Sequence, residues 1–324
     1  SSVQVIMEAT EAVSKEVTEQ IGQIAPCQAS VAECIEAFLE KFGPKIYRRP
    51  LTTEEKQTLL NLHLTMHENA SYADRVGILV EAMLQSPQFL YIAPEAGELV
   101  EGSEGVAKLS SYALASRLSY FLWDSMPDPA LFEAAANGKL SSVRQVEAEA
   151  QRMLADDKAE AFVDNFAGQW LYIRAMTDAA PDYNYFPDFD EMLRAAMTIE
   201  AQLFFRHLLS NNRPLSELMD AEVTFLNPRL AEHYGIDYAQ GREAEGLPAG
   251  FLEFDLAGTN RSGFLTMGST LTVTSYPTRT SPVKRGKWVL EQLMCDGPPP
   301  PPPSCTPSSR DLNGVIPSQA LAAT

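Results

Sequence analysis

Neither CxxC nor CxxCH occurs in the chain, so it encodes no zinc ribbon and no c-type haem attachment site of its own. GxSxG, the P-loop and GxGxxG are also absent, which removes the usual nucleophile-elbow, nucleotide and dinucleotide signatures. HExxH is missing as well: His63 and His67 stand four apart, but residue 64 is leucine. No apolar run approaches the ~20 residues that span a bilayer. Basic residues are scarce, 25 against 43 acidic, giving a net charge of −18 and a pI near 4.6. Such a surface repels phosphate backbones and anionic lipid, so neither nucleic acid nor a membrane surface is an expected partner. The opening SSVQVIMEAT has no charged n-region and no apolar h-region; it reads as the interior of a longer chain, with an upstream part missing.

What is present is mostly helical pattern, so the expected class is mainly α. Residues 3–24 repeat apolar positions at spacings of three and four. Ser30 and Glu33 form a capping-box signature for the next helix, which is expected to stop at Gly43-Pro44. Thr52 or Thr53 caps another, with Glu54 and Glu55 in its first turn. The apolar segment from Ala73 breaks at Ser86-Pro87. A helix over 110–123 is predicted to bury Tyr112, Leu114, Ala115, Leu118, Phe121 and Leu122. The acidic, glycine-rich stretch 94–107 is the best internal boundary. It separates an N-terminal region 1–93 from a central region 107–236. Beyond 248 the pattern alternates in FLEFDL and GFLTMGSTLTVTS, which predicts a small β element near 250–275. Six prolines, 298–303, predict a polyproline II rod of roughly 19 Å. They end a third region, 248–305, and 306–324 reads as an extended tail.

The four cysteines fall in two local pairs, Cys27 with Cys34 and Cys295 with Cys305. Two disulfides in an oxidising compartment, or four buried thiols, fit that count. Cys27 precedes a helix cap and Cys34 lies one turn inside, so a bridge there is geometrically easy. Bridging Cys295 to Cys305 requires the chain to double back after the proline rod. The rival is a partner for Cys295 outside this chain.

Candidate chemistry is sparse. His63 and His67 have a metal-ligand spacing but no evident third ligand, and two half-buried helix histidines fit as well. His207 sits on a long helix predicted over DEMLRAAMTIEAQLFFRHLLSNN (190–212), with Glu200 seven residues back, a base with an orienter or a salt-bridged face. His233 suits a helix C-terminus. Asp178, Asp182, Asp188 and Asp190 could hold calcium, though the EF-hand spacing is absent. An aromatic and acidic cleft could form from Trp170, Tyr183, Tyr185, Phe186, Asp188 and Asp190. The sharpest feature is the basic turn of TSYPTRTSPVKRGKW. Thr280 or Ser281 can cap a helix with Pro282 at its first position, and Arg279, Lys284 and Arg285 crowd an end that favours acids. Either these cations pair internally, with Asp255 or the 178–190 loop, or they face an external anion, a partner carboxylate or a cofactor acid group.

A set of ordered motifs carries a resemblance: RRPLTTEE (48–55), LQSPQFLY (84–91), LSSYALASRLSYFLWDSMPD (109–128), NFAGQWL (165–171), LNPRLAEHYGI (226–236), RSGFLTMGSTLTVTS (261–275) and RTSPVKRGKWVLEQL (279–293), followed by the prolines. Over roughly 25–305 the chain resembles large exported proteins of planctomycetes and myxobacteria. These are built from consecutive domains of unknown function, 1592 at the centre with 1595 before it and 1588 after it. The resemblance implies a periplasmic, cell-surface or secreted protein associated with c-type cytochromes. It also implies a haem c module beyond the proline run, which this chain lacks, so the chain looks like a fragment of such a protein. The basic turn would then face haem propionates or an acidic edge of that module. Three functions follow as expectations: a scaffold or docking unit for a cytochrome in electron transfer; an extracellular enzyme or polymer-binding protein using the aromatic cleft; or a structural subunit of a surface assembly. The resemblance brings no catalytic residue.

Overall fold

The computed structural model describes residues 2–92, 96–100, 102 and 105–299. The chain is mainly α and divides into two compact units, Ser1–Asn165 and Phe166–Thr324. In the first, the helices are α1 (Ser2–Glu19), α2 (Ile21–Ile24), α3 (Val31–Tyr47), α4 (Thr53–Leu64), α5 (Tyr72–Leu84) and α6 (Pro87–Leu90). A short antiparallel pair follows, β1 (Ala96–Leu99) with β2 (Ala107–Leu109). Then come α7 (Ser111–Trp123), α8 (Pro129–Ala136), α9 (Val143–Leu154) and α10 (Glu160–Phe162). The second unit holds α11 (Gly168–Trp170), α12 (Glu191–Ser210), α13 (Glu217–Asp220), β3 (Val223–Leu226), α14 (Pro228–Tyr234), β4 (Leu252–Asp255), α15 (Gly268–Val273) and α16 (Pro282–Trp288).

Capping sets most of the first unit's boundaries. Ser30–Glu33, Thr52–Glu55 and Ser71–Asp74 form three capping boxes, each satisfying orphan N–H groups at a helix start. Cys27 and Cys34 are bonded across the first of them, with Cα atoms 5.7 Å apart. Cys305 and the tail 306–324 lie outside the described residues, as does most of the proline run.

The predicted stop at Gly43-Pro44 is wrong. α3 runs through both residues to Tyr47, and Leu51 packs onto the helix at residue 43. A Cβ there would lie 2.5 Å from the Leu51 side chain. The helix ends instead at Arg48, in the left-handed region at φ 59°. The buried Arg48 guanidinium donates to the carbonyls of Gln88, Phe89 and Tyr91. Arg75, also buried, does the same for the carbonyls of His63, His67, Glu68 and Ala70. Two arginines thus replace missing backbone partners at chain reversals. The core between them is Ile35, Phe38, Leu39, Val76, Leu79 and Met83 of α3 and α5.

α7 is where predicted, but it buries a rotated face: Ala115, Ser116, Ser119, Leu122 and Trp123. Buried serines are tolerated here because the Ser119 hydroxyl donates to the Ser116 carbonyl one turn back. Phe121, expected inside, is largely exposed and meets Phe162 edge-on.

In the second unit, β3 pairs antiparallel with β4, from Val223↔Asp255 to Leu226↔Leu252. FLEFDL is therefore a strand, but its partner is Val223–Leu226. The other predicted strand, GFLTMGSTLTVTS, is helical: a 3₁₀ turn at Phe264–Thr266 and then α15. β-branched side chains disfavour helix only weakly, and packing overrides them here. Gly268 brings α15 so near α12 and α14 that a Cβ would lie 2.7 Å from Met197 Cε and 2.9 Å from the Tyr234 hydroxyl. The Thr274 and Ser275 hydroxyls donate back to the carbonyls of Thr270 and Leu271.

Candidate functional site

α12 carries a carboxylate in its apolar stripe. Leu193, Met197, Glu200, Ala201 and Phe204 recur at helical spacing, and all are buried. Burial of an unpaired carboxylate is costly, so the chain surrounds Glu200 with donors. Thr224 of β3 donates to Oε1 at 2.7 Å, and the Tyr234 hydroxyl of α14 donates to Oε2 at 2.5 Å. The Tyr234 oxygen in turn accepts the Gly268 backbone N–H at 2.6 Å. The Arg261 guanidinium lies 3.6 Å from the centroid of the Tyr234 ring and donates to the Thr266 carbonyl. Burial drives the Glu200 carboxyl up to about 7, against the two hydrogen bonds and the Arg261 charge, which favour its ionised form. Burial and the Glu200 charge raise the Tyr234 hydroxyl well above its ordinary range.

Tyr234 and Arg261 form part of the wall of a cavity of about 500 Å³. Tyr185, Phe186, Phe189 and Tyr276 give it aromatic sides, and Thr280, Ser275 and Arg285 line it as well. Among the lining residues, Asp188 is the only acid, against Arg261, Arg285 and His233. Burial, with the charges of Arg229 and Arg261, lowers the His233 imidazole, so it adds little positive charge at neutral pH.

The residues singled out from the sequence are distributed as follows. Arg285 lines the cavity, and its bonds run to hydroxyls, Thr280 Oγ1 at 3.2 Å and Thr274 Oγ1 at 3.5 Å. Lys284 donates to the Ser275 carbonyl and sits over the Tyr276 ring, as does the Arg279 guanidinium. Ser281 is the helix cap, accepting from the Lys284 N–H. Among the described residues no ion pair joins Arg261, Arg279, Lys284 or Arg285 to a carboxylate, so of the two alternatives for the basic turn, internal pairing with Asp255 or the 178–190 loop does not form. Tyr185 and Asp188 reach the cavity. Tyr183 does not and stands 72% exposed. Asp190 caps α12 through the Leu193 N–H and pairs with Arg229. Trp170 lies away from the cavity; its indole N–H donates to the Gln292 carbonyl and its ring packs on Phe166 and Phe205.

His63 and His67 do not share a face, because α4 ends at Leu64. No cluster of metal-ligating side chains occurs among the described residues. His207 meets the Phe225 ring and Asn211, and the bonds of Glu200 run to Thr224 and Tyr234. The base-and-orienter alternative for His207 and Glu200 therefore does not form. The usable signal was a carboxylate inside an apolar stripe, which demands donors from other elements.

No curated protein and no solved structure matches the chain. Three family models do. Residues 34–93 match Protein of unknown function (DUF1595), 109–236 match Protein of unknown function (DUF1592) and 261–320 match Protein of unknown function (DUF1588). The three matches follow one another along the chain in the order that its sequence motifs led one to expect.

Proposed function

We propose that the chain is a docking unit of an exported, redox-associated protein, and that the cavity of its second unit receives a carboxylate from a c-type cytochrome module or partner. The observation carrying this reading is the pair Arg261 and Arg285. Both line one cavity, and neither is paired with a carboxylate among the described residues. Guanidinium groups half-removed from water and bonded only to carbonyls and hydroxyls keep most of their capacity for an anion. The aromatic walls suit a ligand that is apolar beside its charge, as the propionate edge of a haem is. The Cys27–Cys34 bond is compatible with an oxidising compartment, and no described helix is long and apolar enough to cross a membrane. The cavity is lined more by cations than by acids, which favours docking over the acidic-cleft alternative.

The test is titration of the chain with a haem c undecapeptide, followed by its Soret band and by calorimetry. Saturable binding is expected, weakened at least about tenfold by Arg261→Gln with Arg285→Gln, since each charge-assisted bond contributes on the order of 1.5–3 kcal/mol. Absence of binding, or binding indifferent to both substitutions, would exclude the reading.

A further inference from the structure

We infer that the Glu200–Tyr234 pair makes this cavity a proton-coupled site: a carboxylate binds in it together with one proton taken up by Glu200. The inference rests on the proposed reading of the cavity as a carboxylate site and adds the state in which that site is competent.

The argument is one of charge and of donor supply. Tyr234 has a single hydroxyl proton. While Glu200 is ionised, that proton is committed to Oε2, and the Tyr234 oxygen accepts from Gly268. An anion entering beside Arg261 then meets the charge of a carboxylate bonded to the Tyr234 hydroxyl and felt by Arg261. Protonation at Oε2 changes both conditions. The negative charge disappears, so the full charge of Arg261 is available to the ligand. The new carboxyl O–H can donate to the Tyr234 oxygen, which releases the tyrosine proton to serve as a donor at the cavity wall. Thr224 keeps its bond to Oε1 in either state.

The surroundings leave few other titrating groups. β3 and α15, which pack on α12, bring no ionisable side chain. α14 brings Tyr234 and His233, with Arg229 and Glu232 turned to surface pairs. The 3₁₀ segment Ile173–Asp178 brings Arg174 and Asp178, and the loop before Phe264 brings Arg261. Along α12 itself, Glu191 pairs with Arg194 near the start, and Arg206 and His207 lie at the far end. A Glu200 carboxyl that titrates near neutrality places the transition within an ordinary pH range.

The experiment is calorimetric titration with benzoate at about pH 6 and about pH 8.5, in two buffers of different ionisation enthalpy at the higher pH. Wild type should take up close to one proton per benzoate at the higher pH, and its affinity should fall at least about tenfold between the two, tenfold being one pH unit of full coupling. Glu200→Gln should bind benzoate with little pH dependence and without proton uptake. His233→Asn should keep the wild-type dependence, because the coupling belongs to Glu200. Benzoate binding with equal affinity at both pH values, or a dependence that disappears in His233→Asn, would overturn the coupling and leave the carboxylate site intact. Absence of benzoate binding at either pH would overturn the coupling too, and the haem-peptide titration then decides the docking reading separately. The proton count on wild type requires no variant to fold.

Discussion

The Tyr234 hydroxyl and Glu200 Oε2 lie 2.5 Å apart, joining the last turn of α14 to the middle of α12 in the interior of the second unit. The hydrogen bond holds α14 against α12 and gives a buried carboxyl its proton partner.

Stability should therefore depend on pH through Glu200. Its folded-state value, about 7, is raised above the unfolded value of 4.5, so the native state binds the extra proton between them. Stability is then highest at and below the lower value, falls as pH rises through this window, and levels off above about 7. The loss on the order of 3 kcal/mol follows from about 2.5 pKa units at 1.36 kcal/mol each. Urea unfolding of wild type and Glu200→Gln across this range should show the slope in the first and its loss in the second.

Removing a donor should make the window wider. Thr224→Val takes one of the two hydrogen bonds from a buried carboxylate and should cost about 1–3 kcal/mol at alkaline pH, with a smaller cost in acid. Tyr234→Phe removes the other and orphans the Gly268 N–H as well, so it should cost more at every pH. Denaturant midpoints at two pH values separate the two variants.

Two glycines in the second unit should differ in their tolerance of alanine. Gly263 has φ 54°, and a Cβ there would lie 2.5 Å from the Met219 backbone, which cannot yield. At Gly268 the obstacles include the flexible end of Met197. Gly263→Ala should therefore cost more than Gly268→Ala, the latter being on the order of 1–3 kcal/mol by overpacking. Gly268→Ala should also shift Tyr234, visible as a change in near-UV circular dichroism.

Reduction of Cys27–Cys34, or its replacement by serines, should lower the stability of the first unit by about 2–3 kcal/mol, the chain-entropy value for a short loop. Urea unfolding with and without reductant, followed through Trp123 of that unit, should show the loss.

Local signals were readable in the sequence wherever a short-range rule decides the outcome. Ser30–Glu33 and Thr52–Glu55 formed the capping boxes that their spacing announces, and Cys27 met Cys34. Long-range decisions were not readable. Gly43-Pro44 looks like a stop until Leu51 packs on it. Residues 268–273 alternate like a strand, yet Gly268 seats them as a helix against Met197 and Tyr234. At the site, the cluster of cations near 279–285 was legible, as were the aromatics near 185. The convergence of Arg285, Tyr185 and Phe186 on one cavity with Arg261 and Tyr234 depends on how α12, α14 and α15 dock, and no local period encodes that. Arg48 shows the same limit: its motif was visible, but its role as the partner of three carbonyls forty residues away was not.

The site also bears on how these segments can be inherited. Glu200, Thr224 and Tyr234 fall within the DUF1592 match, and Arg261, Gly268 and Arg285 within the DUF1588 match. The border between two sequence families thus crosses a single hydrogen-bonded cluster. A gene that parted them there would leave a buried glutamate facing an open wound on one product and unmatched arginines on the other. In this chain the two matched segments build one cluster, which persists only while they stay together.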